Sequence, residues 1–286
     1  MPRPRPCRAS GCCATSPRAD ALESPFARPD AGFNSLDGWT WIGTYGGHYL
    51  QSDLLVDFAH GFFTRRWQGR GPEVLAGFLS AGVSVHRPQQ IHSALVLPAS
   101  TAVQEPWPQA DGLWSDAGGQ SLWVCGADCT PVLIADPDSG RVAACHAGWR
   151  GVAGRILPMA IAALEAAGSR RERLLVALGP AVSGARYQVE RAVSLQVAAA
   201  LRADGREDEE ALAELIESGA LRPDPDPSRD RLDIRLATRR QLEREGIAPE
   251  RVALCPLCTL AEPELFHSWR RDQVKAVQWS GIVDQS

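Results

Sequence analysis

The sequence predicts a mixed α/β (α+β) fold, with mixed β-sheet at the core and helices packed outside it. Three observations carry this. Short apolar runs of strand type alternate with helical segments, but without the regular strand–helix–strand rhythm of a purely parallel sheet. A hairpin stands in the middle of the chain, where the apolar runs 132–135 and 142–145 flank the turn signal Pro137-Asp138-Ser139-Gly140. Finally, 286 residues at 44% hydrophobic are enough for a large core.

Residues 1–37 are rich in Pro, Arg, Ser and Ala, show no periodicity, and read as a disordered extension. Cys7, Cys12 and Cys13 lie there without a nearby histidine and read as incidental thiols. From residue 38 to 286 the texture is that of one globular domain. Residues 39–55, with Gly46-Gly47 inside, predict a hairpin. Residues 58–64 predict a strand, and 72–80 a short helix with Pro72 at its first position. Residues 90–97 predict a strand carrying His92, and 122–125 a buried strand ahead of the central hairpin. A helix over 151–167 ends at Gly168, and Pro158 requires a late start or a kink. Strands at 174–178 and 186–189 and helices at 190–202 and 207–217 follow, then a proline-rich loop at 223–227. An amphipathic helix at 233–245 is stopped by Gly246 and Pro249. Strands at 252–254, 265–269 and 274–279 close the core.

The net charge is −4 with no basic block, which argues against a general nucleic-acid binder. The eight cysteines cluster in a large apolar chain, which fits a reducing compartment better than a disulfide framework. No apolar run suits a signal peptide or approaches the roughly 20 residues of a membrane span. The chain reads as soluble and cytoplasmic, with no membrane partner.

The central hairpin carries the chemistry. A turn centred between Pro137 and Asp138 sets Cys129 directly opposite His146, with Cβ atoms roughly 5 Å apart. His92 supplies a second imidazole. One thiolate and two imidazoles match a three-ligand catalytic zinc site with an open position, and favour zinc or copper(I) over magnesium. Taken singly, His92 also reads as a structural histidine and Cys129 as a small core residue. Asp128 reads either as a general base at a bent strand start or as a turn carboxylate. Arg150 and Arg155 flank a helix start, where phosphate would be favoured. Arg65, Arg270 and Arg271 are further candidates for an anion, each with a surface ion pair as the plainer alternative. Cys255-Pro256-Leu257-Cys258 has CxxC spacing but no second pair, and it opens no helix.

These segments form an ordered series: GFFTR at 61–65, QIH at 90–92, ADC at 127–129, HAGWRG at 146–151, GPA at 179–181, Cys258-Thr259, and SWRRD at 268–272. From about residue 58 onward the chain resembles the YfiH/laccase-domain family, the polyphenol oxidoreductase-like purine nucleoside phosphorylases. The resemblance implies a single-domain layered α/β/β/α sandwich with mixed sheets, of the YfiH/CNF-like cysteine-hydrolase type. It implies a zinc-type site, with copper as the second choice, on His92, Cys129 and His146. It also implies phosphorolysis of adenosine, inosine, guanosine and methylthioadenosine, together with adenosine deamination. Purine nucleosides and phosphate are then the expected partners, in a monomer or small homo-oligomer. On that reading Asp128, Cys129 and Arg150 are the catalytic candidates. Arg65, Gln90, Arg270 and Arg271 are the substrate-binding ones.

The segment between Arg65 and Gln90 is shorter than is usual in the family, and Trp269 stands where the family often has Tyr. Three alternatives remain. A hydrolase would use Cys129 as nucleophile and His146 as base. A copper phenol oxidase would need many histidines, often in HxH pairs, and this chain has six histidines and no HxH. A non-catalytic scaffold would need no metal.

Overall fold

The computed structural model describes residues 28–29, 36–201 and 208–286; most of the predicted N-terminal extension lies outside the described residues. The core is a stack of layers. A seven-stranded sheet contains the hairpin Trp39–Thr44/Gly47–Ser52, then His60–Phe63, Gln278–Val283 and Gln120–Gly126 as neighbours. A six-stranded sheet is built around Thr130–Ala135 and Val142–Ala147, flanked by Leu175–Leu178 and Gly112–Trp114. Both sheets mix parallel and antiparallel pairs.

Strand alternation explains the stacking. Leu133, Ala135, Val142 and Ala144 face one way and share a buried cluster with Leu50, Phe62, Leu122 and Ile282 of the larger sheet. Val132, Ile134, Ala143 and Cys145 face the other way, against Ile156, Leu157, Ile161, Val197 and Leu242 of the outer helices. On the far side of the larger sheet, Tyr49, Phe63 and Trp123 pack with Leu75 and Ala76 of the helix Pro72–Leu79. The order is helix, sheet, sheet, helices: the expected α/β/β/α sandwich.

Four local expectations are corrected. The central hairpin pairs Val142 with Ala135 and His146 with Pro131, which centres the turn between Asp138 and Ser139. The cause is an Asx turn: the Asp136 carboxylate accepts from the Asp138 amide (3.0 Å) and the Ser139 hydroxyl (2.6 Å), and Gly140 takes φ 78°. Cys129 thus lies just before the strand, two residues from the partner of His146. A two-residue offset keeps both side chains on one face. Second, His92 is not on a strand. It sits in a loop at φ 60°, and the strand is only Val96–Pro98. Third, 265–269 forms no ladder. The Leu265 and Phe266 amides bond locally to the Glu262 carbonyl, and the Ser268 hydroxyl caps a short helix Trp269–Asp272. The last strand then starts at Gln278. Fourth, the charged segments Gln188–Glu190, Leu221–Pro223 and Arg229–Leu232 form a separate three-stranded sheet.

The helix predicted over 151–167 is split. Trp149–Ala153 ends at Gly154, Arg155 takes a left-handed conformation (φ 65°), and Ile156–Ala166 begins with Pro158 in its first turn. Pro158 is accommodated there because a first-turn residue needs no intrahelical amide partner. Among the described residues no helix is long and apolar enough to cross a membrane.

Candidate metal centre

Three segments meet at the end of the six-stranded sheet. His146 is the fifth residue of the strand Val142–Ala147, and its amide bonds to the Asp111 carbonyl at 2.7 Å. Asp111 immediately precedes the strand Gly112–Trp114, which pairs with Val142–Ala147. Cys129 follows the sharp bend at Asp128, whose φ of 93° turns the chain between the two large sheets. His92 comes from the loop held by Asp111, whose carboxylate accepts from the His92 amide at 3.0 Å.

The donor atoms of His92, Cys129 and His146 all lie within 4.8 Å of one another. The imidazoles are nearly perpendicular, with ring centroids 4.9 Å apart. Nδ1 of His146 is 2.9 Å from Asp111 Oδ1, so Nε2 is the nitrogen left for a ligand. The surroundings are also cut to shape. A Cβ at Gly148 would come within 2.8 Å of Cys129 Sγ, so any larger residue there must displace the thiol. A soft thiolate, two imidazoles and a buried carboxylate behind one of them suit a zinc-type ion.

Burial opposes charge on both Cys129 and His146, yet their mutual attraction and hydrogen bond lower the thiol pKa and raise the imidazole pKa. Asp111 is held at about 2: burial would raise it, but the bonds from His146 and Ser93 outweigh that.

A narrow cleft beside the cluster is lined by Asp128, Cys129, Gly148, Trp149, Tyr187 and Ile234. Two aromatic–arginine pairs stand here. The Arg150 guanidinium lies 4.3 Å from the Trp149 ring centroid, and that of Arg270 lies 4.8 Å from that of Tyr187. Neither arginine pairs with a carboxylate among the described residues. On the other side of Cys129 a second cleft is lined by Phe62, Phe63, Phe266, Pro131, Pro180 and Gln278.

The remaining sequence candidates divide. Both Asp128 oxygens are occupied, Oδ1 by the Thr259 hydroxyl (2.7 Å) and Oδ2 by the Arg270 amide (2.8 Å), so Asp128 ties the short helix Trp269–Asp272 to the cluster. Gln90 clasps the Cys125 backbone with both ends of its amide, at 2.7 Å each. Arg65 donates to the Pro263 carbonyl. Arg271 is engaged by its own neighbours. Its five N–H groups are taken by the carbonyls of Thr259, Leu260 and Phe266 and both oxygens of Asp272. Arg155 pairs with Glu245 at a helix junction. Cys258 accepts from the Ser183 amide at 3.2 Å, and burial pushes the Cys255 thiol up to about 12.

Sequence reasoning missed Asp111, Tyr187 and the role of Trp149. Trp149 lies inside HAGWRG and was open to notice. Asp111 and Tyr187 carry no motif, and only the fold brings them to the site.

A family model described as multi-copper polyphenol oxidoreductase laccase matches residues 73–283. The chain is 42% identical over 258 residues to the purine nucleoside phosphorylase slr1573 of Synechocystis sp., covering 86% of this chain and 97% of that one. It is 34% identical over 189 residues to the purine nucleoside phosphorylase SCO2081 of Streptomyces coelicolor, covering 64% and 68%. Among solved structures, YlmD from Geobacillus stearothermophilus superposes with a TM-score of 0.70 at 23% identity, covering 89% of this chain and 98% of that one. YfiH from Bacillus licheniformis does so at 0.69 and 22%, covering 83% and 96%. These two likenesses concern the fold.

Proposed function

This chain belongs to the multi-copper polyphenol oxidoreductase laccase family, and from that premise we propose that it is a cytoplasmic, zinc-dependent purine nucleoside phosphorylase. Its substrates are adenosine, inosine, guanosine and methylthioadenosine, and it also deaminates adenosine. The observation that carries this reading is the convergence of His92, Cys129 and His146 donors within 4.8 Å, beside a cleft with two arginines free of carboxylate partners. The relatives named purine nucleoside phosphorylase support it.

His92, Cys129 and His146 would hold the zinc ion, which when bound supplies a Lewis acid and a fixed positive charge. Arg150 and Arg270 hold phosphate at the rim by charge-assisted hydrogen bonds. Their stacking on Trp149 and Tyr187 limits the guanidinium orientations, so less order is lost on binding. The phosphate oxygen forms a bond to the sugar's anomeric carbon while the bond to the purine nitrogen breaks. The base leaves with that electron pair and takes up a proton. Asp128 contributes by holding the Arg270 backbone, since its oxygens already accept two hydrogen bonds. The residues do not favour a multi-copper oxidase: among the described residues, three donors in one cluster offer no array of copper sites.

One observation favours a second reading. Cys129, His146 and Asp111 form a chain of hydrogen-bonding contacts, thiol to imidazole to buried carboxylate. That is the arrangement of a cysteine hydrolase.

Purified protein incubated with adenosine, with and without phosphate and beside Cys129→Ala, separates these readings. Phosphate-dependent release of adenine, lost in the variant, is the expected result; inosine formation reports deamination. No turnover of adenosine, inosine or methylthioadenosine by zinc-loaded protein would sink the nucleoside reading. Hydrolytic activity that survives metal removal would establish the second.

A further inference from the structure

We propose that Asp111 is the positioning residue that assembles the metal centre, fixing both histidine ligands through one carboxylate. This rests on reading the His92–Cys129–His146 cluster as a metal site. Asp111 is fully buried and touches none of the atoms that would meet substrate or metal, so its action is through its neighbours.

The two oxygens divide the work. Oδ1 accepts from Nδ1 of His146 at 2.9 Å and from the His92 amide at 3.0 Å, so one atom contacts both histidine ligands. Oδ2 accepts from the Ile91 amide at 3.2 Å, the Ser93 amide at 2.6 Å and the Ser93 hydroxyl at 2.8 Å. Three successive amides therefore converge on one anion, the geometry of a backbone nest. That nest goes with the left-handed conformation at His92, φ 60°, which residues other than glycine adopt uncommonly. At His146 the same carboxylate requires the proton on Nδ1 and leaves the lone pair on Nε2.

An amide cannot substitute. Asparagine has one acceptor oxygen and one donor nitrogen. With its nitrogen in place of Oδ2, it would face the donors of Ile91 and Ser93, and the loop carrying His92 would loosen. With its nitrogen in place of Oδ1, it would face the His92 amide and push His146 into the opposite tautomer. Either orientation damages a ligand while leaving volume and packing unchanged.

The test compares zinc affinity of wild type and Asp111→Asn by competition against a chromophoric chelator, with thermal melts of both metal-free proteins. The expected result is a 10- to 100-fold weaker zinc affinity in the variant, the usual cost of losing such a partner. In cobalt-substituted protein, the thiolate-to-metal absorption should lose intensity with it. Equal zinc affinity in the two proteins would overturn the inference and leave the metal reading standing. No zinc binding by wild type would bring down both.

Should the variant not fold, nitrogen-15 spectra of zinc-loaded wild type decide the matter. A His146 with Nδ1 protonated and Nε2 ligated supports the inference, and the reverse assignment overturns it.

Discussion

A Cβ placed on Gly148 would lie 2.8 Å from Sγ of Cys129 and 3.8 Å from Cδ2 of His92. Gly148 has φ −73° and ψ 172°, a conformation open to any residue, so its necessity is one of space and not of backbone freedom. Gly148→Ala should therefore displace the thiol while the fold persists. The expected outcome is at least a tenfold loss of zinc affinity and of nucleoside turnover, with a melting temperature within a few degrees of wild type. Zinc titration beside a thermal melt checks it; unchanged affinity would show that the thiol has room to move.

Arg150 and Arg271 should fail in opposite ways. Arg150 is exposed, stacked on Trp149 and without a carboxylate partner among the described residues. Arg150→Ala should raise KM for phosphate roughly 10- to 100-fold, the worth of a hydrogen bond to a charged group, with little change in stability. Arg271 spends all five donors on three carbonyls and Asp272. Arg271→Ala should cost about 2 kcal/mol or more of stability by leaving those carbonyls unpaired, with KM for phosphate nearly unchanged in the folded fraction. Phosphate kinetics and denaturant titration on both variants separate a ligand contact from a structural staple.

His60 predicts an acid limit to stability independent of the metal centre. It is fully buried: Nε2 accepts from the Ser52 amide at 2.9 Å and Nδ1 bonds the Phe58 carbonyl at 2.8 Å, a pattern only the neutral ring completes. Burial lowers its pKa from 6.5 to about 4, despite the Phe58 carbonyl and Asp53 acting in the opposite sense. Between those values the unfolded chain binds a proton that the folded chain refuses. Stability is therefore full above pH 6.5 and falls as pH drops toward 4, by about 2 kcal/mol at pH 5. Urea titrations at pH 7.5 and 5.0, on wild type and His60→Gln, read this; the variant should lose less stability between the two. Equal losses would show that other groups govern the acid limit.

Much of the site was legible because its residues lie in short, dense motifs. Cys129, His146 and Arg150 fall within one hairpin and the helix start after it, where local spacing alone sets proximity. The wrong hairpin register did little harm, since an offset of two residues leaves strand side chains on the same face. His92 lies beside Cys129 and His146, but in a loop and not on the expected strand. Its left-handed conformation accompanies the bonds that the amides of residues 91–93 make to Asp111, a partner from another segment that no local pattern encodes. The 265–269 segment looked like a strand because its composition is apolar, yet the Leu265 and Phe266 amides bond the Glu262 carbonyl and the His267 amide bonds the Gln278 side chain.

Residue pattern alone pointed to a mixed sheet with helices outside it, and to the donor set. The apolar runs on the hairpin strands must be buried on both faces, so each face needs a covering layer; that one layer is a sheet and the other helices was implied by the family resemblance. Cysteine and histidine at the ends of those strands bring the chemistry. Which arginines lack a carboxylate partner, which spend every donor on the protein, and which carboxylate stands behind His146 came from the folded chain. Those outcomes depend on backbone carbonyls and amides contributed by distant segments. Every residue type carries these groups alike, so their meeting is settled by the path of the folded chain.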